Sequence, residues 1–417
     1  MTENLFTPTF FAGNRDRLLS ELGYGALVVV TAFGQMQRGS DSAFHFEQEA
    51  NFWYLSGIDH PDWWLIIDGT ERKTWLVHPE ADEMRDIFDG SLDAKLALKI
   101  SGADAVIDRT EARRLLGSLH AHHSVAYSLL PQAELNRYGF YPNPAPRDLQ
   151  DELRLFSVRD CRNELNRLRA IKQDSEIKAL QTAIDITIAG LKNTYKHLPK
   201  LHHEYEVEAM LSHEFRKNGA EGHAYDPIVA DGENACTLHY IANNSPLSKK
   251  DWLLCDVGAK YQHYCADITR TIPLNKTPTK RQRAVYEAVE RVQKAAIKLC
   301  TTGQSVADYH EAVEKSMRAE LIDLKLISEE DDEEALRRYF PHAISHGLGI
   351  DVHDPLGRPT QFAVGMVLTV EPGIYIREES LGIRIEDDIL ITADGPLNLS
   401  RKLPTNLDKL ARLTIDD

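Results

Sequence analysis

Four acids in the second half of this chain stand where strand periodicity turns side chains inward. Asp256 and Asp267 fall in Trp252-Leu-Leu-Cys-Asp-Val-Gly-Ala-Lys-Tyr-Gln-His-Tyr-Cys-Ala-Asp-Ile-Thr-Arg-Thr-Ile272, which reads as an apolar strand, a Gly-containing turn and a second strand rich in β-branched residues. Folded as a hairpin, this stretch brings both acids to one face of adjacent strands. Val367-Leu-Thr-Val-Glu371-Pro-Gly-Ile-Tyr-Ile376 and Gly382-Ile-Arg-Ile-Glu386-Asp-Asp-Ile-Leu390 are again strand-like, each with its acid at an inward position. A carboxylate turned into an apolar interior needs a partner. Four of them converging repel one another strongly unless divalent cations neutralise them. His346, in Ser345-His-Gly-Leu-Gly-Ile-Asp-Val-His353, adds one imidazole to this oxygen-rich set, with glycines that let the backbone come close.

The 417 residues exceed the usual size of a single core, so two domains are expected. The first part alternates a helical pattern at Arg15–Leu22 with short apolar runs at Ala26–Val30, Trp63–Ile67, Thr74–Val77 and Ser124–Tyr127, which suits a small α/β domain. Tyr141-Pro-Asn-Pro-Ala-Pro146 interrupts any regular pattern. A long helix follows from Asp174 to Lys196, with Ile177, Leu180, Ile184, Ile188 and Leu191 on one stripe and Ser175 or Asp174 as its cap. The boundary is placed near Ile171, giving domains 1–170 and 171–417. Beyond it the pattern predicts helices at 204–217, 281–299 and 306–324 among the acid-bearing strands, an α+β arrangement.

A formal charge of −16 with no Lys/Arg cluster argues against nucleic acid or an anionic membrane as partner. Glu329-Glu-Asp-Asp-Glu-Glu334 reads as a solvated helix start or loop rather than a cation site. The five cysteines, Cys161, Cys236, Cys255, Cys265 and Cys300, have no zinc-ribbon spacing and read as reduced thiols. With no basic start followed by an apolar stretch, and no run near the ~18 apolar residues of a membrane span, the default expectation is the cytoplasm.

The chain resembles the pita-bread metallopeptidases, and within them the aminopeptidase P and prolidase branch. The matching motifs are Leu238-His-Tyr240, Asp256-Val-Gly258 with Asp267-Ile-Thr-Arg-Thr271, His346-Gly-Leu-Gly-Ile-Asp-Val-His353, Val370-Glu-Pro-Gly-Ile-Tyr375 and Gly382-Ile-Arg-Ile-Glu-Asp-Asp388, in the family's order. Asp41-Ser-Ala-Phe-His-Phe-Glu-Gln-Glu-Ala-Asn-Phe-Trp-Tyr-Leu-Ser-Gly57 is similar to the segment that opens the aminopeptidase P N-terminal domain. The resemblance implies an α+β pita-bread catalytic domain after a smaller α/β domain. Taken singly, each acid could pair with an arginine or cap a turn; all five residues in the family's order argue against that.

The resemblance also implies roles. Asp256 and Asp267 coordinate the cations, Glu386 bridges them with Asp267, and His346 and Glu371 bind the other side. Two cations about 3.5–4 Å apart lower the pKa of a shared water and polarise a carbonyl. Mn2+ suits such a carboxylate-rich set, with Co2+, Zn2+ or Fe2+ tolerated. His239 and His353 face the substrate as hydrogen-bond donors. His342 lies near the prolyl subsite, and Tyr375 lines the site. Tyr225 and Arg384 support the aspartates. Glu371 shuttles a proton to the leaving nitrogen, and Asp41 reaches an active site from the N-terminal domain. The implied reaction removes the first residue from peptides with proline at position two, in a homodimer or homotetramer. The rival readings are a prolidase restricted to Xaa-Pro dipeptides, a methionine aminopeptidase, a creatinase-like hydrolase working without metal, and a non-catalytic pita-bread binding module. The last two are disfavoured because all five ligands are present. This sequence departs from many aminopeptidase P sequences in its short connections Pro372–Ile385 and His353–Val364, and in Phe88, where a tryptophan is common.

Overall fold

A computed structural model of the chain describes residues 4–80, 83–131, 139–248, 251–274, 278–329 and 333–414. These divide into two compact units, one running from Phe6 to Leu168 and the other taking up the chain from Arg169. Half of the acidic run at Glu329–Glu334, residues 330–332, lies outside the described residues.

The first unit is built on a mixed six-stranded sheet, in the order Ala105–Ile107, Lys73–Val77, Trp64–Asp68, Leu27–Thr31, Val125–Ser128, Ser157–Asp160. Leu27–Thr31 runs antiparallel to Trp64–Asp68 and parallel to Val125–Ser128. Every residue of Leu27–Thr31 and Trp64–Asp68 is buried, which is why these runs are apolar on both faces. The expected α/β character is borne out. Helix Ala145–Glu152 begins inside the proline-rich stretch, because a proline in a first helical turn gives up an N–H that has no partner there anyway.

The second unit opens with helix Asp174–His197. Its cap is Gln173, neither Ser175 nor Asp174: the Glu176 carboxylate folds back to accept from the Gln173 amide at 2.8 Å. Burial extends beyond the expected stripe to Ile186, Thr187, Gly190 and Thr194, and Phe215 of helix Glu204–Lys217 lies so close to Gly190 that a Cβ there would meet its ring at 2.7 Å.

Two long antiparallel hairpins follow, and each bends. In the first, Trp252–Val257 pairs with Ile268–Pro273, and beyond the bend Ala259–Tyr261 pairs with Tyr264–Cys265 in the same register. The reversal is at Gln262 and His263, both at positive φ, rather than at the glycine. Gly258 serves a different need: it sits at the bend, where a Cβ would lie 1.7 Å from the Ala266 carbonyl oxygen. In the second hairpin, Val367–Val370 pairs with Asp387–Thr392, and Gly373–Ile376 with Leu381–Arg384. The two expected long strands are therefore each interrupted at their acids, and the register on either side of the break sets Glu371 opposite Glu386. Helices Lys280–Leu299 and Val306–Asp323 cover this second hairpin, burying Val285, Val289, Met317 and Leu321 with Leu368, Ile374, Ile383 and Ile389.

Replacing Gly258 by alanine should cost at least about 2 kcal/mol of stability, since the obstacle is backbone that cannot rotate away. Urea denaturation of Gly258→Ala checks this; a midpoint equal to wild type would mean the bend is not as tight as described.

Candidate metal centre

The bends bring the acids together. Asp267 lies at the bend of the first hairpin, and Glu371 and Glu386 flank that of the second. The Glu386 amide donates to the Thr269 carbonyl at 3.0 Å, which ties the second hairpin to the first. The Glu371 amide donates to the Ile344 carbonyl at 3.0 Å, and the Thr369 amide to the His346 carbonyl at the same length, so the histidine segment lies along the second hairpin. Ligand atoms of Asp267, His346 and Glu386 all lie within 4.8 Å of one another. His346 Nε2 is 3.5 Å from both Asp267 Oδ2 and Glu371 Oε1.

Hydrogen bonds fix this geometry. His346 Nδ1 is 2.9 Å from the Gly347 carbonyl oxygen, an acceptor that holds the proton on Nδ1 and leaves the Nε2 lone pair aimed at the carboxylates. The Tyr225 hydroxyl bonds both Asp256, at 2.5 Å, and Asp267. Arg384 Nη2 donates to Asp256 Oδ2 at 2.5 Å, its Nη1 to the Tyr375 hydroxyl at 2.7 Å and its Nε to Thr269 Oγ1 at 3.3 Å. The Thr269 hydroxyl in turn donates to Glu386 Oε2 at 2.6 Å. His342 gives its Nδ1 proton to the Ala343 carbonyl, so its Nε2 accepts from the Tyr375 hydroxyl at 2.8 Å.

The electrostatics show what the set lacks. Burial, reinforced by neighbouring carboxylates, pushes Glu371 up to about 7 and holds Asp267 and Glu386 above the usual carboxylate range. Burial alone would lower His346, but the hydrogen bond and charge of Asp267, with the charge of Glu371, outweigh it and raise the imidazole to about 9. Asp388, which accepts from the Asp267 amide at 3.3 Å, keeps one buried oxygen without a partner among the described residues. A buried cluster of carboxylates with a single imidazole to balance them is short of positive charge, and oxygen donors with one imidazole suit divalent cations. The residues present therefore fit a metal centre.

Asp256, Asp267, His346, Glu371 and Glu386 line one cavity of about 530 Å³, together with Tyr225, His239, His342, His353 and Arg384. His353 stacks edge-on to His346 with ring centroids 4.3 Å apart, and burial followed by the charges of His346 and His239 lowers it to about 4. Two expected site residues are not on that wall. Tyr375 is buried behind His342 and Arg384, and Asp41 is exposed in the first unit. Tyr225 spends its hydroxyl on the two aspartates. Thr269, the node joining Arg384 to Glu386, was passed over; its place between Asp267 and Thr271 on a single strand was the available signal. Leu238, Ile241 and Val352 give the cavity an apolar side. The first unit holds a larger cavity, about 790 Å³, but among the described residues the only convergent ligand set is the one above.

Residues 178–393 match the family model described as metallopeptidase family M24. The chain belongs to this family. Residues 11–127 match the aminopeptidase P N-terminal domain, so the M24 domain follows a domain of its own recognised type, as the resemblance implied. Among similar curated proteins, the Haemophilus influenzae Xaa-Pro aminopeptidase is 30% identical, covering 97% of this chain and 96% of its own length. Human Xaa-Pro aminopeptidase 3 is 32% identical, covering 97% of this chain and 85% of its own length. Escherichia coli aminopeptidase P, solved zinc-substituted and in complex with product, superposes with a TM-score of 0.86 at 29% identity over 98% of both chains. The M24 fold expected from the motifs is thus borne out, as is its metallopeptidase class.

The raised groups predict a pH dependence for the chelated M24 enzyme. Glu371 keeps its proton up to about 7 in the folded chain against 4.5 normally, and His346 up to about 9 against 6.5. The folded state then binds more protons than the unfolded one, so stability falls as pH rises, through both windows in turn. Between about pH 7 and about pH 9, above the range in which His342 and His353, each lowered to about 4, act in the opposite sense, chelated protein should melt progressively lower, and added Mn2+ should raise the midpoint more at the alkaline end, where no proton must be displaced. A midpoint that climbs with pH over that range without metal would contradict the charge balance described.

Proposed function

We propose that this chain is an Xaa-Pro aminopeptidase: residues 171–417 form the catalytic domain, 1–170 its accessory domain, and the enzyme removes the first residue from peptides with proline at position two. The observation that carries this reading is the convergence of Asp267, His346, Glu371 and Glu386 in one cavity also lined by His239, His342 and His353. In this proposal Asp256, Asp267, His346, Glu371 and Glu386 hold two divalent cations, Mn2+ before Co2+ or Zn2+. When bound, such a pair supplies an activated water and polarises the scissile carbonyl.

The side chains do the rest. Tyr225 and Arg384 hold Asp256 from two sides, so its carboxylate is oriented before substrate arrives. His239 and His353 donate hydrogen bonds to the carbonyl oxygen as negative charge develops there. Glu371 takes a proton from the attacking water and returns it to the leaving nitrogen. That nitrogen belongs to a tertiary amide with no N–H and a fixed φ, so the substrate must be seated by shape rather than by an amide hydrogen bond. His342, held by the buried Tyr375, and the apolar Leu238, Ile241 and Val352 provide such a wall. Asp41 is assigned no part in this scheme. The free thiols favour a reducing compartment and hence the cytoplasm, and a homodimer or homotetramer is carried by the family resemblance.

The test is a panel of Xaa-Pro dipeptides and longer Xaa-Pro peptides, with Mn2+ returned to chelated enzyme. Release of the first residue from Xaa-Pro-Xaa tripeptides is expected; turnover of dipeptides alone would make the chain a prolidase, and metal-loaded protein idle on every peptide would defeat the reading. Within the same assay, Asp267→Ala and Glu386→Ala should lose metal and turnover together. His239→Ala and His353→Ala should keep metal and lose about 100-fold or more in kcat.

A further inference from the structure

His239 sits on an irregular segment between the strands Ile228–Asp231 and Trp252–Val257, exposed on the cavity wall, and its ring has no hydrogen-bond partner among the described residues. Nothing bonded to the imidazole therefore aims it. Its direction is inherited from the backbone, and the backbone there is gathered around one side chain, Glu204.

Glu204 is the first residue of helix Glu204–Lys217 and is fully buried. Its Oε1 accepts from the Asp231 amide at 2.8 Å and from Asn234 Nδ2 at 2.9 Å. Its Oε2 accepts from the Ser245 amide at 2.9 Å and from the hydroxyl of Tyr240, the residue after His239, at 2.8 Å. Two of these donors lie on the approach to His239 and two beyond it, so a single carboxylate closes the segment at both ends. Among the described residues no cation bonds it; four donors satisfy the charge, as a buried carboxylate requires. One turn along the same helix face, Glu208 accepts from Asn243 Nδ2 at 2.9 Å, while Asn243 also holds the Val229 amide at 3.0 Å. The helix thus grips the segment twice.

We infer that Glu204 is a positioning residue for His239: its carboxylate sets the path of the segment so that the imidazole faces the substrate carbonyl. This rests on the role proposed above for His239. Glutamine is nearly isosteric but replaces one oxygen by an NH2 that only donates, so in either orientation a backbone N–H, that of Asp231 or that of Ser245, faces another donor.

The experiment is a double-mutant cycle on Mn2+-loaded full-length enzyme, with kcat, KM and metal content measured for Glu204→Gln, His239→Ala and the pair. Expected are a fall in kcat of about 10-fold or more for Glu204→Gln with metal content unchanged, and a further change under about 2-fold when it is added to His239→Ala. A merely structural Glu204 would cost the same in both backgrounds, and that result overturns the inference, as does an unchanged kcat in Glu204→Gln. Tyr240→Phe removes one donor and leaves the buried charge in place; should Glu204→Gln not fold, the same cycle with Tyr240→Phe decides, a loss confined to the His239 background supporting the inference and an equal loss in both overturning it. If His239→Ala alone keeps full turnover, the role of His239 fails and this inference with it. If His239→Ala is slow while Glu204→Gln is not, only this inference fails.

Discussion

The mutual repulsion of buried carboxylates is the constraint around which the second unit is arranged. Asp267, Glu371 and Glu386 are held where burial and one another's charge work against ionisation, and among the described residues their ion pairs are with histidines rather than with an arginine or lysine. The fold reaches this costly juxtaposition by bending two hairpins and placing acids at the bends. A bend frees an acid from the alternation of the ladder while the continuous register on both sides keeps its position defined. Charge that the strands could not tolerate in a flat sheet is thereby concentrated at one end of a cavity, and cations in that cavity would convert the electrostatic cost into binding energy.

Around this centre the nearby cationic and hydroxyl groups serve the acids in an ordered chain. Arg384 is bonded at once to Asp256, Tyr375 and Thr269, and Thr269 passes the contact to Glu386. Farther out, Arg270 pairs with Asp387 at 2.6 Å and donates to the Glu386 carbonyl, which anchors the second bend from behind. Asp354, directly after His353, is buried against Arg169 and Lys172, so the histidine segment is also fastened by an ion cluster away from the cavity. Removing one member of such a cluster leaves an unpaired buried charge, so these groups fix geometry more than they add stability.

Much of this was legible in the residues. Acids at inward positions of apolar runs, with one imidazole among glycines, pointed to the convergence, and the helix periods gave the four long helices of the second unit within a residue or two of those observed, whereas the first helix, read from Arg15, starts at Pro8. The bends were not legible, because periodicity reads Val367–Ile376 as one strand whether or not its two halves join different sheets. Gln262-His263 was missed as the reversal because neither residue is a customary choice for positive φ, while Gly258 nearby offered itself. Tyr375 was expected to line the site because proximity in sequence to a ligand does not say which way a hydroxyl turns. Glu204 carried no signal at all: its meaning comes from four donors spread over residues 231–245, which only the folded chain brings to one carboxylate.

The central claim is that these acids form a container for cations rather than a set of internal ion pairs. Its most direct test is an anomalous difference map from crystals of chelated protein soaked in Mn2+. The account predicts two peaks among Asp256, Asp267, His346, Glu371 and Glu386, with the Asp256–Arg384 contact kept. An empty cavity, or the acids turned away toward arginines, would contradict it.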